Sequence, residues 1–142
     1  MHDLVKQHRR WVANFVSGKV EELRFHLGCV VNACDETLRL FKDQKPTPNE
    51  IHRAVVYGFS ALANGVQTLK DAIQTATGNA LPWSSIESLR HGVFMYGARN
   101  AVTHDGNPVI GAWADGRYFV PAEICRIGDR GKLITIPAPS AD

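Results

Sequence analysis

The chain has 142 residues, a formal net charge of +2 and a hydrophobic share of 44%, which is the size and composition of one compact soluble domain covering residues 1–142. A charged share of 21% leaves little room for extended disorder. A charge this close to neutrality neither requires nor excludes a nucleic-acid partner.

The first forty residues predict a long amphipathic helix. Apolar residues recur at three and four positions from Leu4 to Phe41, which is the spacing of one stripe on a helix. An unbroken helix of that length would measure about 60 Å. We therefore expect a bend or break at Ser17-Gly18, where glycine weakens the helix and serine can cap a new start.

Two further helices are predicted up to about residue 106. The segment Thr47-Pro48-Asn49-Glu50 has the N-cap, first-turn proline and following glutamate of a helix start, and the apolar stripe after it stops at Gly78. Ser84-Ser85-Ile86-Glu87 has the pattern of another capping box. We expect its helix to continue to His104 and to end at Gly106.

After Pro108 the apolar period shortens from about 3.6 to about 2 residues, which is typical of strands. Asp115-Gly116 predicts a type I′ hairpin between 109–113 and 117–120. A second reversal is predicted at 128–131, between 124–127 and 132–136, and 137–142 should fray. The predicted fold is mainly α: an antiparallel helical bundle over about residues 3–106, with a small C-terminal antiparallel β meander over about residues 109–136.

The N-terminus lacks the apolar core of a signal peptide, and no run approaches the roughly 18 apolar residues of a membrane span. We therefore expect a cytoplasmic protein without membrane contacts. Cys29, Cys34 and Cys125 are odd in number and lack metal-binding spacing. This argues against a disulfide framework and against a zinc site, and no cofactor is indicated.

Three polar side chains, Arg99, Asn100 and His104, stand at the end of the third predicted helix. Histidine exchanges protons near neutral pH, and the guanidinium presents a fork of donors that fits phosphate oxygens. On an ideal helix Asn100 and His104 lie one above the other, whereas Arg99 and His104 are about 140° apart. Arg99 and His104 can converge if the Arg side chain curls round, if the helix ends near His104, or if a second copy completes the site.

The run Arg99-Asn100-Ala101-Val102-Thr103-His104 resembles the R-N-x-x-x-H signature of the HEPN superfamily, small helical-bundle proteins that include many bacterial toxin and defence ribonucleases. The resemblance implies a metal-independent endoribonuclease whose catalytic residues are Arg99, Asn100 and His104. It also implies that the site forms in a homodimer and that the RNA is cleaved by attack of its own 2′-hydroxyl.

The resemblance also bears on partners. An antitoxin or a nucleotidyltransferase is the implied regulator. Some members carry a tyrosine two positions after the histidine as the target of nucleotide transfer, and Gly106 at that position argues against this mode of silencing. Members often add a polar residue from an earlier helix to the site, and Asn32, Asp35 and Asn64 are the candidates here.

Two alternatives stay open. His104 alone is equally explained as a cap on the last carbonyls of its helix; the protein would then be a catalytically silent HEPN-like dimer that binds RNA, a nucleotide or a partner protein. Gly92, Gly97 and Ala101 allow another backbone to approach closely. We expect this to be a second copy about a two-fold axis, although packing within one chain is equally common.

Overall fold

The computed structural model describes residues 1–139, so part of the end expected to fray, 140–142, lies outside the described residues. The described chain folds into four helices and four short strands: α1 (His2–Lys42), α2 (Asn49–Thr77), α3 (Trp83–Glu87), α4 (Gly92–Asp105), β1 (Ala112–Ala114), β2 (Arg117–Phe119), β3 (Glu123–Ile127) and β4 (Leu133–Pro137). The predicted mainly α fold with a C-terminal antiparallel β region is confirmed. None of the helices in this part of the chain is long and apolar enough to cross a bilayer.

Helix α1 is continuous over 41 residues, so the expected break at Ser17-Gly18 is wrong. One interior glycine costs about 1 kcal/mol, which is too little to open a helix that packs along a neighbour. Helix α2 runs antiparallel beside it, with Val30 against Gly58 and Leu23 against Gly65. The two glycines of α2 let the helices approach closely.

Helix α2 begins within one residue of its predicted start, but its cap differs. Pro48 occupies the N-cap position and no side chain caps the helix. The hydroxyl of Thr47 instead lies 3.0 Å from that of buried Thr37 on α1, and this bond fixes the α1–α2 connection. At the other end Gly78 adopts a left-handed conformation with φ 71°, as its glycine predicts.

The third predicted helix is broken, contrary to expectation. Helix α3 is a single turn with Pro82 at its N-cap and no side-chain cap, so the predicted capping box does not form. The chain then reverses through His91, whose φ is 60°, and α4 starts at Gly92. A Cβ atom at Gly92 would overlap the carbonyl oxygen of Ile86. The apolar residues keep their helical spacing across this reversal, so the reversal was not visible in the sequence pattern.

The C-terminal strands form two separate hairpins, β1–β2 and β3–β4, rather than one meander. Asp115 and Gly116 have φ angles of 51° and 76°, the left-handed pair that a type I′ turn requires. In the second hairpin Cys125 pairs with Thr135. Pro121 lies between the hairpins and lacks the N–H that would continue a ladder.

The first hairpin is fixed to the long helices by side-chain hydrogen bonds. The indole Nε1 of Trp113 donates to Oγ1 of Thr37 at 2.9 Å. The Tyr118 hydroxyl lies 2.6 Å from Nδ1 of His52 on α2. The hairpin thus covers the end of the α1–α2 pair.

Helix α4 is held between α2 and the second hairpin. A buried cluster of Ala98, Ala101, Val109 and Ile124 joins α4 to β3, and Phe59 of α2 packs against it. Within residues 1–139, the backbone of α4 does not come close to that of α1. The end of α4, where the polar motif lies, is therefore framed by α2 and the β hairpin alone.

Candidate active site

Helix α4 ends one residue beyond His104. Gly106 follows in a left-handed conformation with φ 63°, and the backbone N–H groups of Gly106 and Asn107 both donate to the carbonyl oxygen of Ala101. Asp105 anchors this end by accepting the N–H of Ile127 at 2.9 Å. The cap is made by the backbone, so His104 is not needed as one.

The Arg99 side chain does curl round the helix. Its Nη1 donates to Oδ1 of Asn100 at 2.8 Å, and Asn100 is only 4% exposed. Asn100 and His104 share one face of α4 at the i, i+4 spacing. The hydrogen bond therefore holds the guanidinium beside Asn100, on the side of α4 that also carries His104.

The guanidinium of Arg99 can also donate further hydrogen bonds. Its Nε is buried and has no hydrogen-bond partner among residues 1–139, and no carboxylate in that part of the chain pairs with it. A buried donor without an acceptor costs roughly 1–3 kcal/mol, and more when it is charged. Because Asn100 is a neutral acceptor, Arg99 retains its full positive charge for an anion.

His104 is exposed, and its imidazole makes no hydrogen bond or ion pair within residues 1–139. Both ring nitrogens can therefore exchange protons with a bound molecule. Arg99 can supply positive charge and His104 can exchange protons from the same end of one helix.

Among the three earlier polar candidates, Asn64 reaches the motif. Its Oδ1 accepts a hydrogen bond from Oγ1 of Thr103 at 2.8 Å, next to His104 in the chain. Asn32 and Asp35 lie on α1, whose backbone does not come close to that of α4, so the structure does not bring them to the motif. Asn64 also lines a polar groove of about 190 Å³ between α1 and α2, together with His26.

Gln67 is a residue that the sequence analysis missed. It lies one turn beyond Asn64 on α2. Thr103 bonds Asn64, while the earlier α4 residues Gly92 and Met95 line a cavity with the later α2 residues Leu69 and Ile73, so α2 and α4 run antiparallel. Gln67 is thus at the level of Arg99. Its Oε1 is buried without a hydrogen-bond partner in the described chain. The signal in the sequence was the pair of amides Asn64 and Gln67, three residues apart and thus on one side of the predicted second helix.

The small residues of α4 do not form a free surface. Gly97 lies against Ile136 of β4, Gly92 against Ile86, and Ala101 is in the core. The expected two-fold contact through these residues is therefore wrong, and packing within the chain accounts for them.

Comparisons with protein-family models, curated proteins and solved structures give no match to this chain. The resemblance to the HEPN superfamily thus depends on the motif from Arg99 to His104. Within residues 1–139, no three His, Cys, Asp or Glu side chains lie together as a metal site would require. The function is therefore argued from the geometry of α4.

Proposed function

We propose that the protein is a metal-independent endoribonuclease of the toxin or defence type, which acts on RNA as a homodimer with Arg99, Asn100 and His104 in its active site. One observation carries this proposal. The Arg99 guanidinium, held by Asn100 and with a buried Nε that has no acceptor among residues 1–139, stands on the same helix as an exposed His104.

In the proposed reaction the 2′-hydroxyl of one nucleotide attacks the adjacent phosphorus. A bond forms between the 2′-oxygen and phosphorus while the bond to the 5′-oxygen breaks, which leaves a cyclic phosphate and a 5′-hydroxyl. His104 accepts the proton of the 2′-hydroxyl and returns a proton to the departing 5′-oxygen. Arg99 donates to the phosphate oxygens as negative charge grows on them, and Asn100 positions Arg99.

The polar groove beside Asn64 supports an extended substrate. The groove is lined by Asn64, which bonds Thr103, and by His26 and the Lys19–Glu22 ion pair of α1. A basic side chain along such a path can contact backbone phosphates. A single-stranded segment that crosses the groove would present its phosphate to Arg99 and His104.

The test is incubation of the purified protein with single-stranded RNA and with DNA of the same sequence, both in EDTA. The proposal expects RNA cleavage with cyclic phosphate ends and no DNA cleavage, because DNA lacks the 2′-hydroxyl. RNA that is bound but not cut would establish the catalytically silent binder instead. Cleavage that requires added metal would contradict the proposed chemistry.

A further inference from the structure

The single chain exposes more surface than a folded monomer of its mass. Its accessible surface is 9455 Å², whereas the size relation for folded monomers gives about 7,300 Å² for this mass. The excess is larger than the roughly 800 Å² that each partner buries in a standard interface. A second copy of the chain is always present in the pure protein, so it is the partner that can cover this surface.

Much of the exposed apolar surface lies on α1. Leu4, Trp11, Phe15 and Phe25 are 69%, 60%, 51% and 68% exposed. They belong to a row of residues spaced alternately by four and three, the spacing of a coiled-coil seam. This row, the outer seam, consists of Leu4, His8, Trp11, Phe15, Gly18, Glu22 and Phe25.

The outer seam flanks the face of α1 that packs on α2, where Leu23 and Val30 meet the glycines of α2. Its members Leu4, His8 and Glu22 also line grooves beside α2. Its aromatic rings are already arranged as a continuous surface. Trp11 lies edge-on to Phe15 with ring centroids 5.0 Å apart, and His8 stacks on Trp11 at 5.9 Å. Rings that contact one another before association lose less side-chain freedom on binding.

We propose that the outer seam is the homodimer interface, an antiparallel coiled coil of the two α1 helices with its two-fold axis at Phe15. An antiparallel register about Phe15 makes the seam complementary to itself. Trp11 then faces the partner's Gly18, so the largest side chain meets the smallest residue. His8 faces the partner's Glu22, which pairs an imidazole with a carboxylate, and Leu4 faces the partner's Phe25.

Gly18 gives independent support. Glycine is the weakest ordinary residue for a helix interior, yet Gly18 lies within an unbroken helix. Gly58 and Gly65 on α2 are explained by close contact with α1, but a Cβ atom at Gly18 would meet nothing within 4 Å. Gly28 on the same helix is equally open, so the support from Gly18 lies in its place on the outer seam, opposite the partner's Trp11.

The proposed register also places part of the partner beside the candidate active site. This step rests on the proposed function, whereas the interface itself does not. Residues 4–8 of the partner lie level with residues 22–25, because Leu4 faces the partner's Phe25 and His8 faces the partner's Glu22. His26 and Asn64 line the groove that leads to Thr103. The partner's basic N-terminal turns, with Lys6 and Arg9, are thereby brought beside the path proposed for RNA.

The first test compares two glycine substitutions on the same helix in the full chain. Gly18→Leu adds a side chain where the partner's Trp11 is expected, and Gly28→Leu is its matched control because a Cβ at Gly28 also meets nothing within 4 Å. Sedimentation equilibrium should give a dimer dissociation constant at least about tenfold higher for Gly18→Leu, by analogy with overpacking of a close contact, and an unchanged one for Gly28→Leu. A monomeric native protein, or equal effects of both variants, would overturn the interface.

The second test fixes the direction of the helices. In a variant whose Cys29, Cys34 and Cys125 are replaced by alanine, Phe15→Cys should form a disulfide with itself under mild oxidation. Leu4→Cys should cross-link only to a chain carrying Phe25→Cys. Self-cross-linking of Leu4→Cys would show a parallel pair and refute the register. Neither test measures RNA cleavage, so failure of the interface and failure of the proposed enzyme are distinguishable.

Discussion

The hydrogen bond from Nη1 of Arg99 to Oδ1 of Asn100, 2.8 Å long, decides which face of α4 the guanidinium serves. These neighbours in sequence would point about 100° apart on an ideal helix. The buried amide draws the Arg side chain across that angle. Asn100 is therefore a positioning residue, and the effects of replacing it should differ from those of replacing Arg99.

The variant Asn100→Asp should distinguish the effect of positioning the Arg99 side chain from the effect of its positive charge. The aspartate still accepts from Arg99, through a stronger charge-assisted bond, but it cancels the charge that would meet a phosphate. We expect a folded protein whose kcat/KM on RNA falls at least about tenfold and whose RNA affinity depends less on salt. The control Asn32→Asp adds the same charge on α1, away from α4, and should leave cleavage unchanged. Equal loss in both variants would contradict the role of Asn100.

The reversal before α4 should tolerate no side chain at Gly92. Gly92→Ala places a Cβ against the backbone oxygen of Ile86, and overpacking of this kind costs typically about 1–3 kcal/mol. Gly28→Ala, in open space on α1, should instead stabilise by about 0.5–1 kcal/mol. Urea unfolding of both variants at one protein concentration measures the difference. A Gly92→Ala protein as stable as the native one would show that the reversal is not tightly packed.

Some features of the fold were predictable because they are local. Gly78, Gly106 and Asp115-Gly116 mark positions where the backbone turns with positive φ, and such positions select glycine or aspartate through steric effects within a few residues. The continuity of α1 and the break before α4 were not predictable in this way. Both depend on contacts between distant segments: α1 along α2, and Gly92 against Ile86.

The same distinction between local features and contacts of distant segments applies to the candidate site. The chemistry of Arg99, Asn100 and His104 follows from their side chains, so the sequence could propose it. The choice of Asn64 over Asn32 required the knowledge that α4 packs on α2 and not on α1. The small residues of α4 were compatible with two kinds of neighbour, a second copy or the same chain. The positions of Ile136 and Ile86 show that they pack within the chain.

The free energy of unfolding should decline at alkaline pH because of a tyrosine in the first hairpin. Burial raises the pKa of Tyr118, as does the nearby Cys34, against a smaller opposing effect of its hydrogen bond with Thr37. A pKa raised on folding means that this stabilisation is complete below the ordinary value of 10.0 and is lost as pH rises through the folded pKa. Urea unfolding across that range should show the decline.

Tyr118→Phe tests the same contact at neutral pH. The variant loses the hydrogen bond between the Tyr118 hydroxyl and His52, so the free energy of unfolding should fall by about 0.5–1.5 kcal/mol. Its alkaline decline should also be shallower than that of the native protein. An identical pH profile would place the titration on another group.

The most direct test of the account is the rate at which folded His104→Ala cleaves single-stranded RNA in EDTA. We expect a loss of roughly a hundredfold to ten-thousandfold, as is typical when a general acid or base is removed. Arg99→Ala should show a loss of similar size, and Arg99→Lys should recover little of it, because an ammonium cannot reproduce the guanidinium fork. His2→Ala and Arg117→Ala, which alter exposed residues outside the site, are the matched controls and should cleave at the native rate. Cleavage at that native rate by folded His104→Ala would contradict the account.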